Sequence, residues 1–196
     1  MEIDDRHSRL MSALRGRTAL VASVGWGFAE GTLFFIVPDV LFTLTTLASP
    51  KRGLQQLGAA VLGAVVAGGI MYAWADGQPA QARAAVAAVP FVGEKLITPT
   101  ERQWNEDGLR VLFANPIGGV PYKVYAVLAP QHVSRPVFLA ASVLMRAERM
   151  ILTWIVFAPF GWWRRRHGHE AHFRIARLLH AGFWVVVYAV YWSLNP

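Results

Sequence analysis

Glu30 and Asp39 interrupt an almost wholly apolar run from Thr18 to Ala48, in the stretch Phe28-Ala29-Glu30-Gly31-Thr32-Leu33-Phe34-Phe35-Ile36-Val37-Pro38-Asp39. A charged side chain at the middle of a bilayer costs roughly 2.5 to 3.5 kcal/mol on insertion scales, so ionisable residues there usually face a protein interior or a water-filled cavity. Their default reading is functional. Arg146 and Arg149 interrupt a second apolar run, Ser142-Val143-Leu144-Met145-Arg146-Ala147-Glu148-Arg149-Met150-Ile151, and Lys123 interrupts a third. The i, i+3 spacing of the two arginines puts them on one helix face, whereas Glu148 points roughly 200° round from Arg146.

Three cations with two carboxylates suit a lipid phosphate, because arginine binds phosphate bidentately and helix N-termini add oriented N–H donors. They also suit proton carriage. A carboxylate paired with arginine in one state and desolvated in another changes its pKa between them. Which of Glu30 and Asp39 titrates stays open, and so does the alternative that these residues form buried ion pairs that only hold helices together.

Other chemistry finds less support. His167, His169 and His172 follow Arg164-Arg165-Arg166 with no cysteine and no acidic ligand beyond Glu170, so a solvated basic loop is expected rather than a metal site. His180 reads as a packed or hydrogen-bonded helix residue, Glu148 as a structural or interfacial group, and Arg110 as a residue that snorkels to the headgroups. No nucleophile elbow, glycine-rich phosphate loop or zinc signature is present, and neither enzyme activity nor a cofactor is expected.

These residues belong to a chain of 196 residues that is 55% hydrophobic and 16% charged with a positive mean hydropathy, too apolar for an ordinary soluble domain of this length. An integral membrane protein is expected. The net charge of +7 would suggest nucleic acid in a soluble protein, but the bases flank apolar segments, so anionic lipid headgroups are the expected partner and nucleic acid is not. The chain has no cysteine, so compartment has to be read from topology. Met1 to Arg17 mixes acids with bases and lacks a small-residue cleavage site, so the first apolar segment is expected to be retained.

Five apolar stretches can be drawn: Thr18 to Ala48, Leu54 to Ala75, Leu109 to Ala129, Val137 to Trp163 and Ile175 to Leu194. A spanning helix needs about 20 residues, so the second, fourth and fifth read as single crossings. The first is too long for one untilted helix and too short for two. Pro38 near its centre removes a backbone donor and pushes Val37 out of helical geometry. The third repeats the pattern at Asn115-Pro116-Ile117-Gly118-Gly119-Val120-Pro121-Tyr122-Lys123. Both therefore read as re-entrant helical hairpins, broken at Pro38 and at Pro116, Gly118, Gly119 and Pro121, with non-helical backbone covered by protein or water.

Charge supports the hairpins, because short cytoplasmic loops collect Lys and Arg. If both hairpins return to the side they enter from, the N-terminal arginines, Lys51-Arg52 and Arg164-Arg165-Arg166 lie together, opposite the acid-rich linker with Asp76, Glu94, Glu101, Glu106 and Asp107. The expected fold is thus all-α and membrane-integral, with two re-entrant hairpins and about three transmembrane helices in an inverted repeat, the architecture of many transporters. A basic cytoplasmic segment, 1–17, precedes one membrane domain, 18–196. Within it lie hairpin 18–48, crossing 54–75, extracytoplasmic linker 76–107, hairpin 108–130 and crossings 136–163 and 175–194. Glycines and alanines at small-xxx-small spacing from Gly58 to Gly69 mark the second stretch as a packing helix. Trp162-Trp163, Tyr188, Tyr191 and Trp192 read as interfacial belt residues.

The stretch from Phe28-Ala29-Glu30-Gly31 through Val37-Pro38-Asp39, with Ala48-Ser49-Pro50-Lys51-Arg52-Gly53 after it, resembles the DedA family, also called VTT or SNARE-associated membrane proteins, and most nearly its YqaA-like branch. The resemblance continues through Gly58 to Gly69, Pro121-Tyr122-Lys123, Ala141-Ser142, Arg146 and Arg149, and covers roughly Ala22 to Phe157. It implies two facing re-entrant hairpins and movement of undecaprenyl phosphate or phospholipid, dependent on the proton motive force and linked to envelope integrity. It also implies functional roles for Glu30, Asp39, Lys123, Arg146 and Arg149. Val37-Pro38-Asp39 stands where better-studied branches have Pro-Gly-Asp, the spacing from Glu30 is shorter, and Lys123 stands where an arginine is often found. These departures bear on substrate more than on fold.

The expected protein is therefore a multi-pass transporter or flippase of a bacterial inner membrane, N-terminus cytoplasmic, that moves a phosphate-bearing lipid or lipid carrier, with protons as a coupling partner and a homo-oligomer compatible with the sequence. A non-transporting membrane scaffold with structural ion pairs is the rival, and an ion channel a third reading.

Overall fold

The computed structural model describes residues 12–14, 16–34, 36–114, 120–167 and 170–194, with backbone only at 170–172 and 194. Among these residues the chain is all helical, without strands. The helices are α1 (Arg17–Gly31), α2 (Asp39–Ala48), α3 (Pro50–Gly77), α4 (Pro79–Ala87), α5 (Gly93–Asp107), α6 (Tyr122–Leu128), α7 (Arg135–His167) and α8 (Glu170–Leu194). Six residues of 3₁₀ helix, Gly108–Phe113, follow α5, and a single 3₁₀ turn, Ala129–Gln131, follows α6. The second broken stretch thus contains a 3₁₀ segment where an α half-helix was expected. Pro121 is extended immediately before α6, and Pro116, Gly118 and Gly119 lie outside the described residues.

Among the described residues, two helices are long and apolar enough to cross a membrane, Pro50–Gly77 with 28 residues and Phe173–Ser193 with 21. Helix α7 is longer, at 33 residues, but carries Arg146, Glu148 and Arg149 at its middle.

Helix α3 organises the bundle, packing against α1, α2, α6 and α7. Its small residues allow this. A Cβ added at Gly63 would lie 2.0 Å from the Val24 carbonyl oxygen, and one at Gly27 of α1 would lie 2.1 Å from that of Ala60, so the two backbones touch at reciprocal glycines. Farther along, a Cβ at Gly68 would lie 1.9 Å from the Tyr122 hydroxyl, which seats α6 against α3.

The ends of the elements fall into two groups. Leu14 ahead of α1, Leu47 and Ala48 at the end of α2, Phe157 of α7 and Phe173 of α8 form one buried cluster. The Gln56 side-chain amide donates to the Leu14 carbonyl at 2.8 Å, and Arg164 donates to the Leu47 and Ala48 carbonyls at 2.8 and 2.7 Å. An arginine thereby occupies the carbonyl end of α2, where the helix dipole is negative. At the other group, Trp104 of α5 stacks on His132 with ring centroids 5.1 Å apart, and the Tyr72 hydroxyl donates to the Val133 carbonyl at 2.8 Å. The α1–break–α2 unit therefore begins and ends beside Leu14, and the segment from Gly108 to Gln131 begins and ends beside Trp104.

The 76–107 linker is itself mostly helical, and an ion-pair cluster ties α4 to α5. Arg83 lies 2.9 Å from a carboxylate oxygen of Glu94 and 2.9 Å from one of Glu101. Hydrogen bonds from Arg83 hold the Glu94 carboxyl below its ordinary value of 4.5. A carboxyl depressed in the folded state contributes stability above its unfolded pKa and loses it as pH falls through the folded value. These groups are partly exposed, so solvent screening limits the contribution to about 0.2–1 kcal/mol. Arg83→Gln is expected to lower unfolding free energy by that amount at pH 7, with the difference from the parent chain shrinking below pH 4.5. Denaturant titration of both proteins across this range measures it.

Candidate functional site

In a continuous helix, Pro38 would leave the Phe34 carbonyl without a donor and push its ring against that oxygen. The chain leaves helical geometry at Thr32, with φ −101° and ψ −102°, and re-enters it at Asp39 after Pro38 in the N-cap position. Backbone groups freed in between find side chains instead. Lys123 Nζ of α6 donates to the Phe34 carbonyl at 2.7 Å. Trp26 Nε1 of α1 donates to the Ile36 carbonyl at 2.9 Å, and the Val37 N–H donates to the Tyr188 hydroxyl of α8 at 2.9 Å. Three helices therefore hold the break in one conformation. Tyr188→Phe leaves the Val37 N–H without its partner, and a loss of about 1–3 kcal/mol is expected in detergent unfolding.

The break places Glu30 at the end of α1 and Asp39 at the start of α2, both facing α7. The Arg146 guanidinium donates to the Glu30 carboxylate and forms a buried ion pair with it. Arg146 also lies over the Tyr122 ring, its Cζ 5.3 Å from the centroid. Arg149 Nη2 lies 2.9 Å from Asp39 Oδ2. That second pair has the distance of an ion pair without the direction of a hydrogen bond, and neither Asp39 carboxylate oxygen has a hydrogen-bond partner among the described residues. Burial is deep: Glu30 is 4% exposed, Asp39 0%, Lys123 1% and Arg146 3%. The Arg149 side chain, at 22%, is more open. Position at the first turn of α2 offers Asp39 the positive end of the helix dipole.

All five charged residues singled out in the sequence line one cavity of about 340 Å³. Three cations face two carboxylates there, and Lys123 is the cation with no carboxylate within ion-pair distance among the described residues. The remaining wall is mostly apolar and aromatic, including Phe91, Phe183, Trp184, Tyr188 and Trp192. The cavity thus combines a polar end able to hold an anion with an apolar wall, and charges so deeply buried interact more strongly than in water.

Several of these residues were not legible as site residues. Tyr188, Tyr191 and Trp192 fit an interfacial belt by position, yet all three line the cavity. Phe91, in the turn between α4 and α5, has φ +65° and stacks on Trp192 at 5.2 Å, bringing the linker to the site. A positive φ at a bulky residue is uncommon, and no motif marks it. Glu148 is exposed on the far side of α7, as its angular position predicts, and Arg110 is exposed as well. His180 is a packed residue, its Nε2 2.9 Å from Thr43 Oγ1 and 3.1 Å from Trp184 Nε1. No family model, curated protein or solved structure matches this chain.

Proposed function

We propose that the chain is a membrane transporter that moves a phosphate-bearing lipid or lipid carrier, with the phosphate received by Lys123, Arg146 and Arg149 and balanced by Glu30 and Asp39. The observation that carries this reading is the single cavity lined by all five charges and closed on its other side by aromatic rings. An amphiphile with an anionic head matches both surfaces. Lys123 supplies the uncompensated positive charge, and its ammonium uses one of three donors on Phe34. Coupling of this movement to a proton gradient is part of the proposal.

The proposed architecture is a DedA-like pair of re-entrant hairpins entering an inner membrane from opposite sides, with the N-terminus cytoplasmic. In its support, the first broken unit starts and ends beside Arg17, Lys51, Arg52 and Arg164, and the second starts and ends beside the acidic linker. The hydrogen bond from Lys123 to Phe34 brings the start of α6, just after Pro121, to the first break. External labelling of Ser49→Cys in intact cells would overturn the first hairpin, and the native chain has no cysteine to interfere.

Reconstituted vesicles test the transport reading. Lys123→Met is expected to reduce translocation of a fluorescent phospholipid at least tenfold while the protein still inserts and folds. Full translocation by that variant would refute the site.

The rival reading, a non-transporting scaffold, draws support from the same geometry, since two of the three cations already have carboxylate partners. A Glu30→Arg/Arg146→Glu exchange separates the two. Restored activity favours a structural pair, and loss of activity with normal folding favours a site that needs each sign in its place.

A further inference from the structure

A second concavity lies on the outer side of α8. It is a nearly apolar groove of about 740 Å³ between α8 and the α1–break–α2 unit, with Ile36, Val40 and Leu44 on one wall and Leu178, Ala181 and Val185 on the other. Arg177 stands at one end and is the charged residue in its lining. Its Nε is buried without a hydrogen-bond partner, and it has no carboxylate partner among the described residues. Its guanidinium lies 5.5 Å from the Phe173 ring, at the end of the bundle that also carries Arg164. At the other end Trp184, Tyr188 and Trp192 line both the groove and the charged cavity.

We propose that this groove binds one hydrocarbon chain of an anionic membrane lipid, with the lipid phosphate on Arg177 and the chain running along α8 to Tyr188. Charge and length both favour that occupant. Arginine pairs with phosphate, and an apolar trough ending at a guanidinium with no carboxylate partner among the described residues suits a head and tail together. From Arg177 to Trp192, the last groove residue on α8, the helix rises about 22 Å, long enough for the half-thickness of about 15 Å of one leaflet of a hydrocarbon core. The lipid here is held in its own leaflet, separated from the charged cavity by three aromatic side chains. The site is distinct from the transport cavity, and its occupancy is read without any translocation.

The test uses the purified full chain in vesicles containing a small fraction of phosphatidic acid with a diazirine in one acyl chain. Irradiation and peptide mapping are expected to label Leu178, Ala181 and Val185 on α8, with Val40 and Leu44 on α2, at least fivefold more than Leu179 and Val186, which α8 also exposes. Arg177→Gln is expected to lower groove labelling at least fivefold. Ala181→Trp, which fills the groove and leaves Arg177 in place, is expected to do the same, so a folding defect in one variant does not decide the outcome. Glu148→Gln, on the exposed side of α7 away from the groove, is expected to leave the labelling unchanged. Equal labelling around α8, or groove labelling that survives both Arg177→Gln and Ala181→Trp, overturns the proposal. Efficient disulfide dimers of Leu178→Cys also overturn it, because a second copy then covers the groove.

Discussion

Arg146→Ala is expected to cost about 3–5 kcal/mol, because it strands the Glu30 carboxylate at a site that water barely reaches. The arginine is held by a hydrogen bond to Glu30 and by the Tyr122 ring, so alanine removes the ion partner and a packed cation together. Replacing both charges with leucines is expected to recover most of that loss, since two apolar side chains of similar size need no compensation in a buried position. Stability and transport should then separate. If the pair serves only to hold α1 against α7, Glu30→Leu/Arg146→Leu keeps lipid translocation along with its fold. The proposed function requires the opposite: a stable protein with translocation reduced at least tenfold. Unfolding titrations in detergent read the first quantity and vesicle assays the second.

Gly63→Val is expected to produce the second large effect. The Cβ it adds meets the Val24 carbonyl at 2.0 Å, and that oxygen belongs to helix backbone that cannot rotate away. Helix α1 must then lift from α3. Overpacking of this kind costs about 1–3 kcal/mol and more where the obstacle is backbone. The effect reaches the site because α1 carries Glu30 and Trp26, so translocation is expected to fall with stability. Gly58→Ala, on the same helix with no atom within 4 Å of the added carbon, provides the contrast. It is expected to change stability by less than about 1 kcal/mol, in the favourable direction for a helical glycine.

The charged half of the site was legible in the sequence because charge inside an apolar run has few structural explanations. Glu30, Asp39, Lys123, Arg146 and Arg149 stood out for that reason, and they share one cavity. Pro38 marked the first break, and the glycines of α3 marked a close contact. The aromatic half was not legible. Tyr188 and Trp192 look the same in sequence whether they meet headgroups or line a cavity, and only the rotation of α8 about its axis distinguishes the two. Hydropathy located helix centres better than helix ends. Helix α3 extends beyond Leu54 to Pro50 and beyond Ala75 to Gly77, and polar residues at its ends hid those turns. The helical content of the 76–107 linker was not legible. Its second helix is weakly apolar, and its attachment rests on Arg83, Glu94 and Glu101, which are close only after folding.

The bond between Val37 and Tyr188 has a consequence for how the chain is made. The ribosome delivers Val37 early and Tyr188 some 151 residues later, yet one satisfies the other. Until α8 arrives, the nascent first break has an unpaired amide that hydrocarbon cannot accommodate, so it must stay in contact with water or the insertion machinery. An element made early is completed by one made 151 residues later, so the first break matures only once α8 has been inserted.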